Sequence, residues 1–270
     1  MNCCICGTVR NCGPYLDKIF YNMELIGKLF NDYRIIIYYD KSNDNTLEKL
    51  KKYSEINNKM ILYVNTSTLL QYRTHRIALG RNMCLQMIRE NFSNYPFFIM
   101  MDCDDRCARD MNINLLRKYL YTNSWDCLTF NYPGGYYDTW ALSKLPYVLS
   151  CHHFTDWGAG QRMITNIINK TPHDKLIPCL SAFNGIAIYR LNKFINCNYD
   201  GRYRTDYIPR WMISANLKAN PTPIKPNMLS NITSSGDRLH HEDCEHRYFH
   251  IQSVLKNNAR IRISPCCLFI

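Results

Sequence analysis

Three carboxylates stand within four residues, at Asp102, Asp104 and Asp105, directly after the apolar run Phe97–Met101. Carboxylates placed so close together repel one another unless a cation or a proton joins them. Their hard oxygen atoms suit Mg²⁺ or Mn²⁺. The spacing therefore predicts a divalent metal site. The alternative is a solvated turn in which the aspartates cap their own backbone.

The apolar run before these aspartates predicts a strand that is buried on both faces, as in a sheet covered by helices. A second apolar run, residues 33–39, also ends in an acid, Asp40. Ligands of open α/β sheets bind beyond the carboxyl ends of the strands. We therefore expect Asp40 and Asp102 to lie at one edge of the sheet, and this edge is the predicted site.

Apolar runs and helical periodicities alternate along roughly the first hundred residues. Strands are predicted over residues 3–9, 33–39, 60–65, 97–101, 126–131, 181–189 and 259–264. Helices are predicted over residues 15–30, 45–53, 76–90, 113–121 and 239–255. The alternation predicts an α/β fold with a mostly parallel central sheet and right-handed crossovers. Residues 209–226 and 229–236 are predicted to be irregular, the second as a candidate mobile loop.

The chain has 270 residues, of which 46% are hydrophobic, so it can bury a substantial core. No apolar stretch approaches the length of about 20 residues that spans a bilayer, and no secretory signal is evident. These observations predict a cytoplasmic protein without a membrane span, in the host cytoplasm if the source is viral. The cysteines are then expected to be free thiols. Cys3 and Cys6 alternate faces in a predicted strand, which argues against zinc.

The formal net charge is +11, which favours an anionic substrate or a polyanionic partner. A nucleotide diphosphate is one such ligand and nucleic acid is another. The lysines and arginines are dispersed, without a run of five or more. The charge pattern therefore gives no basic tail, and we expect no nucleic-acid partner.

Five stretches occur in an order that is typical of one enzyme family: TVRN at 8–11, YDKSNDNT at 39–46, LGRN at 79–82, DCD at 102–104 and ED at 242–243. With them the chain resembles nucleotide-sugar-dependent glycosyltransferases of the GT-A fold, especially family-2-like enzymes and related viral and fungal sugar transferases. It departs from their pattern at Lys41, where a glycine usually follows the acid of the second strand. The resemblance implies a single Rossmann-like GT-A domain over residues 1–270. Its nucleotide-sugar-binding half would be residues 1–131, and its acceptor-binding and catalytic half residues 132–270.

The resemblance also implies roles for particular residues. The donor would be a UDP-sugar, with a GDP-sugar as the rival, and the acceptor a hydroxyl of a glycan or glycoprotein. The implied donor-binding residues are Thr8, Arg10, Asp40, Arg76, Arg81, Asn82 and Asp102. The implied ligands of Mn²⁺ (or Mg²⁺) are Asp102, Asp104 and His246. The implied catalytic base of an inverting transfer is Asp243, with Glu242 as the second choice. The candidate acceptor-binding residues, chosen because sugars stack on aromatic rings and bind carboxylates, are Asp138, Trp140, Asp156 and Trp157.

Two other classes of protein compete with this interpretation. A sugar nucleotidyltransferase also uses carboxylate-held metal on an α/β sheet, but it would normally show a glycine-rich phosphate loop near the N-terminus, where residues 3–14 contain only Gly7 and Gly13. A basic nucleic-acid-binding protein would show basic clusters interleaved with aromatic residues. The clearest cluster in this chain is acidic instead.

Overall fold

The computed structural model describes residues 1–149, 158–219 and 241–270. Its strands are β1 Asn2–Val9, β2 Asp32–Tyr39, β3 Met60–Val64, β4 Phe97–Met101, β5 Cys127–Asn131, β6 Ile177–Cys179, β7 Ile186–Arg190 and β8 Ile261–Cys267. They form one sheet in the order β3-β2-β1-β4-β7-β5-β8-β6. The pairs β1–β2, β2–β3, β1–β4 and β5–β8 are parallel, whereas β7 runs antiparallel to β4 and β5, and β6 to β8. The predicted α/β fold with a mostly parallel sheet is confirmed.

Helices cover both faces of this sheet. They are α1 Leu16–Gly27, α2 Thr46–Ile56, α3 Arg73–Asn91, α4 Ile113–Leu120, α5 Gly158–Lys170, α6 Leu191–Phe194, α7 Arg210–Ala219 and α8 Glu245–Asn257. Alternate residues of β1 enter different cores: Cys3 and Ile5 pack with α1, whereas Cys4 and Cys6 pack with α3 and α8. The central strands are therefore buried on both faces, which is why their sequences are apolar without alternation.

Cys3 and Cys6 lie on opposite faces of the sheet, as their spacing predicts. The cysteines that the structure describes are all free thiols. Among residues 1–149, 158–219 and 241–270, no helix combines the length and apolar character required to cross a bilayer.

Several predicted elements differ from the structure. The strand predicted over residues 181–189 begins only at Ile186, because Asn184 and Gly185 adopt positive φ angles of 71° and 90° in a turn. Residues 210–219 of the segment predicted to be irregular form α7. The last helix starts at Glu245 and not near residue 239, since Glu242 pairs as an isolated β-bridge with Arg202. The candidate mobile loop, residues 229–236, lies outside the described residues.

Candidate functional site

The carboxyl ends of β1, β2 and β4 meet at one edge of the sheet, because β1 pairs in parallel with both other strands. Asp40 directly follows β2 and Asp102 directly follows β4, so the structure places both at this edge. The edge holds a pocket of about 260 Å³. The pocket is lined by Thr8, Val9, Arg10, Asn11, Cys12, Tyr38, Asp40, Arg73, Arg76, Ile77, Asp102, Cys103 and Asp104.

Asp40 is fixed in its orientation at one end of the pocket. Its Oδ1 accepts hydrogen bonds from Asn65 Nδ2 at 3.0 Å and from the backbone N–H of Lys41 at 3.1 Å. Its Oδ2 lies 3.7 Å from Arg76 Nε. The side chain is 9% exposed. Since its neighbours hold one oxygen and orient the other, Asp40 is preorganised to accept an N–H or O–H from a ligand.

Asp102 and Asp104 place two poorly solvated carboxyl groups at the other end. Burial raises the pKa of Asp102 to about 7, against the opposing charge of Arg81 and with a further contribution from Asp104. Burial also raises the pKa of Asp104, whose Oδ1 accepts the backbone N–H of Arg106 at 3.0 Å. Asp105 is exposed in the following turn. Burial disfavours the charged form of both carboxyl groups, and a bound cation would stabilise that charged form.

The residues present fit a divalent cation of one particular kind. The part of the chain that the structure describes contains no group of three or more His, Cys, Asp or Glu side chains suited to enclose a metal. Mg²⁺ and similar hard cations, however, are commonly held by one or two carboxylates together with water and substrate phosphates. Asp102 and Asp104 match that donor set and do not match an all-protein cage.

Three arginines, Arg10, Arg73 and Arg76, bring positive charge to the same pocket. Burial lowers the pKa of Arg76, and the charge of Arg10 lowers it further. Arg76 also donates from Nη1 to the backbone oxygen of Leu70 at 2.7 Å. Arg73 and Arg76 lie in the first turn of α3 and Arg10 directly follows β1, and such a cluster of arginines is suited to bind an anion.

Arg73 was missed by the sequence analysis, which began this helix at residue 76. The helix starts one turn earlier, at Arg73, so that Arg73 and Arg76 lie three positions apart on one helical face. The spacing of the two arginines was the signal that could have identified Arg73.

Two predicted donor-binding residues, Arg81 and Asn82, do not line the pocket. Arg81 is 3% exposed and donates from Nη2 to Asp102 Oδ1 at 2.8 Å, from beneath the pocket. Asn82 exchanges hydrogen bonds with the backbone of Tyr199, at 2.9 Å and 2.8 Å. Because successive helical residues point about 100° apart, the two side chains leave α3 in different directions. The predicted contact of Asn82 with the donor is therefore not supported, and Asn82 anchors the segment at Tyr199 instead.

The predicted catalytic pair, Glu242 and Asp243, is buried and does not line the pocket. Glu242 is 1% exposed and accepts hydrogen bonds from the N–H of Thr74 at 2.9 Å and from its hydroxyl at 3.2 Å. Asp243 is 3% exposed and forms an ion pair with Arg247. A general base must reach the proton that it removes. The described geometry therefore does not support either residue as the base.

His246 is not brought together with the two aspartates. The guanidinium of Arg81 lies between them, in contact with His246 Nε2 on one side and Asp102 on the other. The other ring nitrogen, Nδ1, lies 3.4 Å from the hydroxyl of Tyr189. Both nitrogens thus have protein partners, and the prediction that His246 binds metal is not supported.

Of the candidate acceptor-binding residues that the structure describes, Asp138 is a partly exposed residue whose charge acts on Asp102 in the pocket. It influences the charge of Asp102, and burial raises its own pKa. Its backbone N–H donates to Asn184 Oδ1 at 3.0 Å, and its Oδ1 accepts the N–H of Ala141 at 3.2 Å. Trp140 packs partly buried against the core beside α3 and α8. Asp156 and Trp157 lie outside the described residues.

The sheet and its pocket define an α/β protein of the GT-A type. Residues 4–177 match the profile of glycosyl transferase family 2, which is more than half of the chain, and the chain belongs to this family. No curated protein matches it.

Three solved structures of S. aureus TarS are similar to this chain. TarS 1–349 has a TM-score of 0.50 and 15% identity, over 100% of this chain and 60% of that one. A second TarS structure has a TM-score of 0.50 and 12% identity, over 97% of this chain and 35% of that one. TarS 1–349 in complex with UDP-GlcNAc has a TM-score of 0.49 and 16% identity, over 100% and 58% of the two chains. This chain thus spans less than two thirds of the length of these three TarS structures.

Proposed function

We propose that the chain transfers a sugar from a nucleotide-sugar donor to a hydroxyl of a glycan or glycoprotein acceptor. One observation carries this proposal: a single pocket presents a buried, oriented acid (Asp40), a cluster of three arginines, and the carboxylates Asp102 and Asp104. A nucleoside diphosphate carries hydrogen-bond donors on its base and ribose and negative charge on its phosphates. The pocket offers groups complementary to both: the oriented carboxylate of Asp40 and the positive charge of the arginines. Membership of glycosyl transferase family 2 supports the same reaction class.

In this proposal the nucleoside occupies the end of the pocket at Asp40. The carboxylate oxygen of Asp40 that faces Arg76 would accept an N–H of the base, and Thr8 also lines the pocket. Uracil and guanine both present such N–H groups. UDP is our choice for the nucleotide, with GDP as the rival, and a donor panel decides between them.

The diphosphate would lie between the arginines and the aspartates. Arg10, Arg73 and Arg76 would bind its oxygens by charge-assisted hydrogen bonds. Asp102 and Asp104 would hold Mn²⁺ or Mg²⁺ against the same oxygens. When bound, such a cation acts as a Lewis acid for the negative charge that develops on the leaving diphosphate.

The acceptor hydroxyl must lose a proton as it attacks the sugar, and a carboxylate of the protein can take that proton. We assign this role to Asp138, because the residue is partly exposed and its charge raises the pKa of Asp102 in the pocket. Burial raises the pKa of Asp138, which makes the carboxylate a stronger base. Such a transfer would invert the anomeric centre.

The decisive experiment measures release of nucleoside diphosphate from a panel of UDP-, GDP- and dTDP-sugars, with Mn²⁺ present or chelated. We expect metal-dependent release from one donor class, lost in Asp104→Ala. The matched control is Asp105→Ala, which removes an exposed carboxylate from the same turn and should retain activity. Failure of the native protein to turn over any donor, together with no metal-dependent nucleotide binding by calorimetry, would overturn the proposal.

A further inference from the structure

Arg81 forms the centre of a buried charge cluster beneath the pocket. Its Nη2 donates to Asp102 Oδ1 at 2.8 Å, and its Nη1 donates to Glu245 at the start of α8. The side chains of Arg81 and Glu245 are 4% and 6% exposed, whereas that of Asp102 is 30% exposed. Asp102 is thus the member of the cluster through which Arg81 reaches the pocket.

Aromatic rings hold the guanidinium in place from its sides. Its Cζ lies 4.6 Å from the centroid of Phe183 and 5.7 Å from that of Tyr199. Burial opposes the positive charge, but Glu245 and Asp102 outweigh that effect and raise the pKa of Arg81. The group is therefore a permanent cation in a fixed position.

A chain of neutral groups continues from Arg81 into the core. Burial lowers the pKa of His246 well below its usual range, so Nε2 of the neutral ring can accept the hydrogen bond from Arg81. The proton then lies on Nδ1, which faces the hydroxyl of Tyr189 at 3.4 Å. That hydroxyl lies 3.0 Å from His250 Nε2, and His250 Nδ1 lies 3.0 Å from the hydroxyl of Ser181. The links from His246 through Tyr189 to His250 each pair a donor with an acceptor, so they fix the orientation of the imidazole ring that contacts Arg81.

We propose that Arg81 is a positioning residue: it holds Asp102 Oδ1 from beneath, and the chain from His246 to Ser181 holds Arg81. Oδ2 of Asp102 accepts no hydrogen bond from the residues that the structure describes, so it is the oxygen left for the bound ligand. The inference rests on the proposed function, because it concerns how Asp102 meets the nucleotide or its cation. It also explains why an arginine that does not line the pocket lies in the motif at residues 79–82.

The test compares Arg81→Lys with the native protein by calorimetry, using UDP and GDP alone and then with Mn²⁺. Lysine keeps the charge but loses the fork that joins Asp102 to Glu245. Removing an outer partner of a metal-binding group typically lowers metal affinity about 10–100-fold. We expect the gain in nucleotide affinity on adding Mn²⁺ to fall about tenfold or more, with metal-free affinity changed less than about threefold. A merely structural role would lower both affinities alike.

A second variant covers the case in which Arg81→Lys does not fold. Tyr189→Phe removes one hydroxyl from the chain and keeps the ring, and it should lower the Mn²⁺-dependent gain about three- to tenfold. Its matched control is Tyr119→Phe, which removes another buried hydroxyl, bonded to Ser264 at 3.2 Å and outside this chain. That control should leave the gain at the native value.

The outcomes separate the two proposals. A native protein that binds neither UDP nor GDP would overturn the proposed function and the inference together. The inference alone would be overturned if Mn²⁺ increases nucleotide affinity equally in the native protein and in Arg81→Lys. If Arg81→Lys does not fold, the same comparison is made with Tyr189→Phe. In an Asp102→Asn background, Arg81→Lys should cause no further loss, because its effect passes through Asp102.

Discussion

Arg247 donates two hydrogen bonds to Asp243, from Nε to Oδ2 at 2.8 Å and from Nη2 to Oδ1 at 3.1 Å. Arg247 also donates to the hydroxyl of Ser143 at 2.6 Å and to the backbone oxygen of Trp140 at 2.7 Å. The pair thus joins the start of α8 to the segment that follows Asp138. The ion pair with Arg247 therefore makes Asp243 a residue that stabilises the fold around the site.

Asp243→Asn tests that role. The substitution leaves Arg247, whose side chain is fully buried, without its charge partner. Breaking a buried pair in this way typically costs about 3–5 kcal/mol, and we expect the free energy of unfolding in urea to fall by that amount. Asp17→Asn is the control, because it breaks an ion pair with Lys49 in which Asp17 is 79% exposed. That change should cost less than about 1 kcal/mol. Native stability with complete loss of transfer would return the base role to Asp243.

Asp138→Asn tests the assignment of the base. The amide cannot take a proton from the acceptor, so kcat should fall by about 10²–10⁴-fold. Asp138 does not line the nucleotide pocket, so the Kd for the nucleotide should stay near the native value. Transfer kinetics and calorimetry on the same preparation measure both quantities. A native kcat would exclude Asp138 from the chemistry.

Arg73→Ala tests the proposed diphosphate contact. Loss of one charge-assisted hydrogen bond should weaken binding of UDP about tenfold, equivalent to about 1.4 kcal/mol. Uridine has no phosphates, so its affinity should not change. Lys51→Ala, on the exposed surface of α2, removes an equal charge outside the pocket and serves as the control. An equal loss for uridine and UDP would show that Arg73 does not contact phosphate.

The buried His250 is expected to make the free energy of unfolding depend on pH. Burial lowers its pKa to about 3, with a smaller contribution from the charge of Arg81. An unfolded histidine titrates near pH 6.5, at about its ordinary pKa. Between about pH 6.5 and pH 3, His250 binds a proton in the unfolded chain but stays neutral in the folded chain. The free energy of unfolding is therefore highest above pH 6.5, and this contribution falls toward pH 3 by up to about 1.4 kcal/mol per pH unit.

His250→Gln removes this titration and keeps hydrogen-bonding capacity. We expect the variant's unfolding free energy to decline less steeply than the native value between about pH 7 and pH 4.5. Urea unfolding across that range measures the two slopes. Parallel curves would show that His250 does not contribute to the pH dependence.

The sequence by itself determined the central sheet and the edge that carries the pocket. Strand β4 has the predicted limits, since a strand buried on both faces is apolar throughout and this signal is local. The acids after β2 and β4 follow from the same pattern, because parallel strands end at one edge. The sequence alone also predicts that Cys3 and Cys6 lie on opposite faces of β1, because side chains alternate along a strand.

Only the tertiary structure decided which of the candidate side chains face the pocket. Arg81 and Glu245 are 164 positions apart, and the ion pair between them turns Arg81 beneath the pocket. Asp243 and His246 resemble site residues in sequence, but in the structure they are buried, Asp243 in an ion pair with Arg247 and His246 in contact with Arg81. Charged and polar groups in a core must be paired, and each partner is selected by packing between distant elements. A local spacing rule carries no information about that choice.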